Sequence, residues 1–241
     1  DRKPGCMPGD FPESCVRPAF RPGPKALTAR PLPLAAFALA SLLPLPLIGL
    51  GLAGGGAALW AAVLYLALLT ILLDQLVPLT AGTALGDEFP GAEALLVAIG
   101  LGALALLPAA TWAIAGPSAL TTSERILAFF ATGFWLGQVA HPAAHELIHR
   151  PRRALFRFGA AVYTALLFGQ HASAHRLVHH LHVASPDDPN SARAGESFYR
   201  FARRAWVGSF RQGLAAETDL RNRSAKGLHP YAAYLLGSAV A

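Results

Sequence analysis

No charged side chain occurs from Pro31 to Leu73, nor from Ala94 to Ser123. Each run exceeds the ~20 apolar residues that cross a bilayer core. In lipid every backbone amide and carbonyl must be satisfied within the segment, so such runs can only be helices or barrel strands. Their length and unbroken apolarity select helices. Composition agrees, with 54% hydrophobic and 14% charged residues, against about 25% charged in ordinary globular chains. The expected fold class is all-α: a polytopic membrane helical bundle with a histidine-rich cytoplasmic cap.

Taken in order, residues 1–30 hold six prolines and six basic residues without apolar periodicity. They read as a disordered leader, and residues 31–241 as one membrane domain. Cys6 and Cys15 lie in that leader and are too few for an iron–sulfur centre, which takes about four thiolates. The first span is expected at about Leu32–Gly51, bent by Pro44 and Pro46, and the second at about Ala57–Pro78. Between them, Gly49 to Gly54 matches GxGxxG. No strand precedes it and no acidic partner follows, so a glycine-rich hairpin tip is the expectation. Asp74 is an isolated charge near the second span's end, either functional or at headgroup level. After a polar loop with Asp87 and Glu88, the third span runs from about Glu93 to Ala115. Thr121 and Glu124 then have capping-box spacing, which predicts a helix start and a fourth helix reaching His149.

The basic leader and the basic run 150–157 are both expected in the cytoplasm, and four crossings between them satisfy that. Residues 154–170 are apolar but are expected to dip in or lie along the interface and return. The chain begins without methionine and stops inside an apolar segment, so a longer reading frame is expected. Basic loops also suit nucleic acid, but no fold signature supports that partner. Anionic lipid fits them better.

Eight of the nine histidines fall between His141 and His182. On a helix, His141, His145 and His149 share one face, as do His171, His175 and His179. A row of imidazoles one turn apart packs a core poorly and presents nitrogen ligands to a metal well. Imidazole-rich sites suit zinc, copper, iron or nickel. Ferritin-type di-iron sites use several glutamates, whereas Glu146 is the only carboxylate between His141 and His182. His145-Glu146-Leu147-Ile148-His149 is also the HExxH pattern of zinc metalloproteases, so a membrane zinc protease is an enzyme alternative. The surplus of nitrogen ligands suits a two-metal site better. A metal carrier without catalysis is the binding alternative.

The runs His145-Glu-Leu-Ile-His149-Arg150, His175-Arg-Leu-Val-His179-His180, Val183 to Glu196, and Tyr199-Arg-Phe201 closely resemble the membrane alkane 1-monooxygenases. These belong to the integral-membrane histidine-motif superfamily that includes fatty-acid desaturases and xylene monooxygenase. Most specific is the Asp188-Pro-Asn-Ser191-Ala-Arg193-Ala-Gly195-Glu196 stretch, which desaturases lack. The resemblance implies six transmembrane helices, two non-haem irons, and O2-dependent hydroxylation of the terminal carbon of medium-chain alkanes. A relative acting on another apolar substrate is the alternative within the superfamily.

Carried over by position, the resemblance implies His145, His149, His175, His179 and His180 as iron ligands. His141, Glu146, His171, His182, Asp187, Asp188 and Arg193 are candidates for supporting them. Further histidine boxes of the family lie downstream, so this chain holds part of the site and is not expected to be active alone. Ala174 stands where the family commonly has Glu, Val178 where it has Gly, and Arg150 where many have Lys. His171, one turn before His175, is a candidate substitute for the missing acid. Phe134, Trp135 and Leu136 are candidates for lining the apolar approach. Asp187, Asp188, Asn190, Ser191 and Arg193 are expected to form a capped turn behind His179 and His180.

The chain has no nicotinamide, flavin or cysteine-quartet motif, so electrons must come from elsewhere. The resemblance implies a rubredoxin-type carrier with its reductase. Arg200, Arg203, Arg204 and Arg211 are candidates for steering it. The expected location is the bacterial inner membrane, with the histidine site on the cytoplasmic side.

Overall fold

The computed structural model describes residues 31–80, 91–224 and 227–241. The leader with Cys6 and Cys15, and the loop with Asp87 and Glu88, lie outside the described residues. Asp74 falls within a helix, but its side chain also lies outside them. Among the described residues every regular element is a helix, as the uncharged runs require.

The first apolar run forms α1 (Pro31–Leu42) and α2 (Pro44–Gly54). Pro44 opens α2, where its missing N–H costs nothing, and this is the expected bend. The glycine motif departs from expectation. Gly49 to Gly54 is helical, and the turn is made by Gly55 and Gly56, whose φ values of 66° and 69° suit glycine. Gly51 instead serves packing, because a Cβ there would meet Leu59 Cδ2 at 2.5 Å. Helix α3 (Ala57–Thr80) therefore returns in close contact with α2.

Helix α4 (Ala92–Ala115) follows, then α5 (Thr122–Trp135). The capping box forms as expected: Thr121 N–H donates to Glu124 Oε2 at 2.9 Å, and Glu124 N–H to Thr121 Oγ1 at 3.4 Å. Glu124 Oε1 also accepts from Gly56 N–H at 2.8 Å, pinning the α2–α3 turn to the start of α5. Among the described residues, two helical segments qualify as membrane spans by length and apolarity, Phe37–Gly54 with mean hydropathy 1.9 and Ala92–Ala115 with 2.2.

Lipid supplies little hydrophobic drive between helices, so small residues and close contact must hold them. Ala62, Ala103, Ala131, Ala140 and Ala144 are accordingly buried at the helix seams, around Trp135 and Ile148. Trp135 is completely buried and donates its indole N–H to Ser41 O at 2.8 Å. Without that acceptor the buried N–H would cost about 1–3 kcal/mol.

A π-helical turn, Leu136–Ala140, joins α5 to α6 (His141–His149). Helix α7 (Arg153–Ala165) has thirteen residues, about 20 Å of rise, too short for a hydrocarbon core of about 30 Å. It folds back on α6, where a Cβ on Gly159 would meet Leu147 Cβ at 2.7 Å and Ala144 O at 2.9 Å. The chain returns rather than crosses. Then come α8 (His171–Ala174), a second π turn (His175–His179), α9 (His180–His182), α10 (Phe198–Ser224) and α11 (Pro230–Val240). Helix α10 packs across α8 and the second π turn, and α11 packs on α7.

Candidate metal centre

The return of α7 lays α8 and its π turn beside α6, and the two histidine rows meet. His145 Nε2 lies 2.8 Å from His175 Nε2, His149 Nε2 lies 3.0 Å from it, and His180 Nε2 lies 3.0 Å from it. His149 and His145 Nε2 are 3.4 Å apart. A neutral imidazole nitrogen carries one proton or one lone pair, so His175 Nε2 cannot satisfy three partners of the same kind. One cation can satisfy His145, His149 and His175, whose ligand nitrogens all lie within 4.8 Å of one another. Nitrogens bound at about 2.0–2.1 Å to a metal lie roughly 3.0–3.4 Å from one another, depending on coordination angle. The observed separations have that scale, and the donor set fits a transition-metal ion.

Both π turns bear on this geometry. Single π turns inside α-helices are frequent at functional sites. In the second one, His180 N–H bonds to His175 O, five residues back. That wider turn carries His180, not His179, onto the nitrogen-bearing face. The expected face of His171, His175 and His179 is thus only partly kept: these rings stack in sequence at 5.0 Å.

His179 instead turns Nδ1 to Asp188 Oδ2 at 2.8 Å. Asp188 is 2% exposed. It also accepts from Asn190 N–H at 2.9 Å and from Ser191 Oγ at 3.4 Å. Burial alone raises its pKa, but the bonds from Asn190, His179 and Ser191 outweigh it and hold the carboxyl below its usual range. A carboxylate behind a histidine fixes tautomer and ring orientation, and leaves His179 Nε2 as the nitrogen available to a metal.

His175 is pushed down to about 3 and His171 to about 4, first by burial and then by neighbouring imidazoles. Both are therefore neutral at neutral pH, the form that ligates. His141 and His171 form a layer beside the cluster: His141 lies 4.9 Å from the Tyr163 ring and 5.6 Å from Phe168. His171 stacks on Phe168 at 4.8 Å.

The other candidate residues are not gathered in. Glu146 is exposed, and its 3.6 Å approach to His145 Nδ1 is too long for a hydrogen bond. His182 and Asp187 are exposed. Arg193 takes part through its backbone, donating N–H to Glu196 Oε2 at 3.2 Å and accepting from Glu196 N–H at 3.0 Å.

Sequence reasoning missed the clamp that holds this loop. Arg204 on α10 donates Nε to Glu196 Oε1 at 2.8 Å and Nη2 to Glu196 Oε2 at 2.7 Å. It also donates to Pro189 O at 2.9 Å and Ser191 O at 2.8 Å. These bonds to Arg204, chiefly, push Glu196 down to about 2. Arg204 is thus committed to the loop, while Arg200, Arg203 and Arg211 are exposed. Glu196 stood in the sequence only as the end of the Asp188–Glu196 stretch, with nothing to name Arg204 as its partner. Another carboxylate came from afar: Ser173 Oγ donates to Glu217 Oε1 at 2.6 Å, beside the Ala174 that replaces the expected acid.

Imidazoles from two helix ends gathered in this way are the arrangement the resemblance to histidine-box membrane proteins leads one to expect. Residues 123–240 match the fatty acid desaturase family model. Similar curated proteins include alkane 1-monooxygenase 2 of Pseudomonas aeruginosa, 28% identical over 41% of this chain and 26% of that protein. Alkane 1-monooxygenase 1 of the same organism is 35% identical over 32% of this chain and 20% of its own. The alkane 1-monooxygenase of Pseudomonas putida is 31% identical over 49% and 29%. The chain thus spans less than a third of the length of the curated relatives it matches.

Proposed function

We propose that this chain carries part of a non-haem di-iron oxygenase that hydroxylates the terminal carbon of medium-chain alkanes with O2 inside the membrane. The observation that carries the reading is the meeting of His145, His149, His175 and His180 Nε2 atoms, at 2.8–3.4 Å between neighbours. With His179 added through its free Nε2, five nitrogens exceed what one tetrahedral zinc takes. The names of the relatives favour alkanes, and the Asp188–Glu196 stretch favours them over desaturation.

Bound irons supply the oxidising power toward a C–H bond that side chains lack. The residues supply the rest. His145 and His149 on α6 and His175 and His180 across the π turn hold the metals. Asp188 sets the tautomer of His179. The buried seam of Ala144, Ile148 and Val162 keeps water from reaching the cluster through the bundle. Residues 31–241 form the membrane domain, set in a bacterial inner membrane with the histidines on the cytoplasmic side. Electrons come from a rubredoxin-type carrier and its reductase, attracted by exposed Arg200, Arg203 and Arg211.

Metal analysis and turnover of the intact protein test this. About two irons per chain and 1-octanol from octane under O2 are expected. One zinc per chain with proteolysis of membrane peptides, or metal binding without O2 consumption, replaces the oxygenase reading with its rivals.

A further inference from the structure

Trp206 on α10 is 54% exposed, yet its indole touches Phe168 at 4.6 Å. It stands between two cavities of about 190 Å³ each, so it is not wedged into a core. Behind it the rings continue without a gap. Phe168 stacks on His171 at 4.8 Å and 16°, and His171 on His175 at 5.0 Å and 29°. His175 Nε2 is the atom on which His145, His149 and His180 converge. Every step falls in the range of direct aromatic contact, about 4.5–7 Å between centroids. Trp206, Phe168 and His171 have no ligand role in the reading above. Packing alone gives no reason for an ordered stack that starts at solvent and ends at the cluster.

The stretch of helix that carries the indole is basic. From Phe198 to Ala216, helix α10 carries Arg200, Arg203, Arg204 and Arg211 and no carboxylate. Arg203, exposed, is one turn from Trp206 and on the same side of the helix.

We infer that Trp206 is where an acidic one-electron carrier protein delivers electrons, and that Trp206, Phe168, His171 and His175 are the route inward. The inference rests on the oxygenase reading and deepens it. One electron leaves the reduced carrier and reaches a ferric ion held at His175, which becomes ferrous; no bond forms or breaks. Electronic coupling falls exponentially with the gap between groups, so rings in contact outperform a path through solvent. Charge complementarity speeds the encounter and sets its salt dependence. Exposed aromatic and arginine side chains also suit a lipid surface, but a headgroup anchor has no use for a ladder into the site.

The test uses the intact iron-loaded protein in lipid nanodiscs without O2, following the ferric absorption by stopped flow. Reductant is either reduced rubredoxin or dithionite. Trp206→Leu should slow rubredoxin-driven reduction by an order of magnitude, with iron content and the dithionite rate unchanged. Trp206→Phe, which keeps a ring, should recover most of the rate. Arg203→Glu should raise the rubredoxin concentration needed at low salt, the difference vanishing at high salt. An unchanged rubredoxin-driven rate in Trp206→Leu overturns the route. So does an unchanged rate accompanied by lost binding to anionic vesicles, which makes Trp206 a lipid anchor. Iron that is reduced through Trp206 while octane goes unoxidised leaves the route standing and removes the alkane reading.

Discussion

His180 Nε2 lies 3.0 Å from His175 Nε2, while His179, a full α-helical turn from His175, sends its Nδ1 away to Asp188. The π turn makes the difference, because five residues rather than four bring a side chain back to the same face. His180→Ala should therefore strip metal from the site, whereas His182→Ala, at an exposed position, should leave metal content as in the parent. Elemental analysis of the purified variants checks this. Equal retention in both would remove His180 from the ligand set.

Asp188 acts through His179. Loss of a carboxylate behind a metal-binding histidine costs roughly 10–100-fold in metal affinity. Asp188→Ala should show a loss in that range by competition with a chelator, and Asp188→Asn, which keeps a hydrogen-bond acceptor, a smaller one. Full occupancy with lost turnover would instead give Asp188 a direct part in the chemistry.

Much of this arrangement was legible in the chain. Uncharged runs forced helices, Thr121 and Glu124 marked the start of α5, and the histidine spacing pointed to a shared site. What was hidden depends on backbone register or on distant partners. A π turn leaves no composition signal, so periodicity alone put His179 where His180 belongs. Arg204 looked like one of four surface arginines, because nothing in its local sequence announces that the loop from Pro189 to Glu196 folds over it. Glu217 reaches Ser173 across 44 residues, a contact that only the packing of α10 on α8 creates. The glycine tip was misplaced by a few residues because Gly51 is needed for close helix contact, not for a turn.

Gly159 sets how near α7 comes to α6, and through α6 the position of His145 and His149. A methyl there would meet Leu147 Cβ at 2.7 Å and the Ala144 carbonyl at 2.9 Å, and backbone cannot yield cheaply. Overpacking of this kind costs about 1–3 kcal/mol. Gly159→Ala should lower the thermal midpoint and weaken metal retention together, and Gly159→Val more so. A variant as stable as the parent, with metal lost, would mean that the histidines move without strain in the bundle.

The clamp between Arg204 and Glu196 makes the loop behind His179 sensitive to acid. Glu196 is held at about 2 in the folded protein, against an ordinary value of 4.5. Below that ordinary value the unfolded chain takes up a proton that the folded loop still refuses, so acid favours opening. The contribution is complete above about pH 4.5 and declines as the pH falls toward 2. Protease cleavage within residues 184–197 of the solubilised protein should rise across that window, read with an acid-active protease at fixed activity. Glu196→Gln removes the titrating group and should flatten the response, with cleavage already raised at neutral pH. A parent profile as flat as that of the variant would mean that Arg204 holds the loop through Pro189 and Ser191 alone.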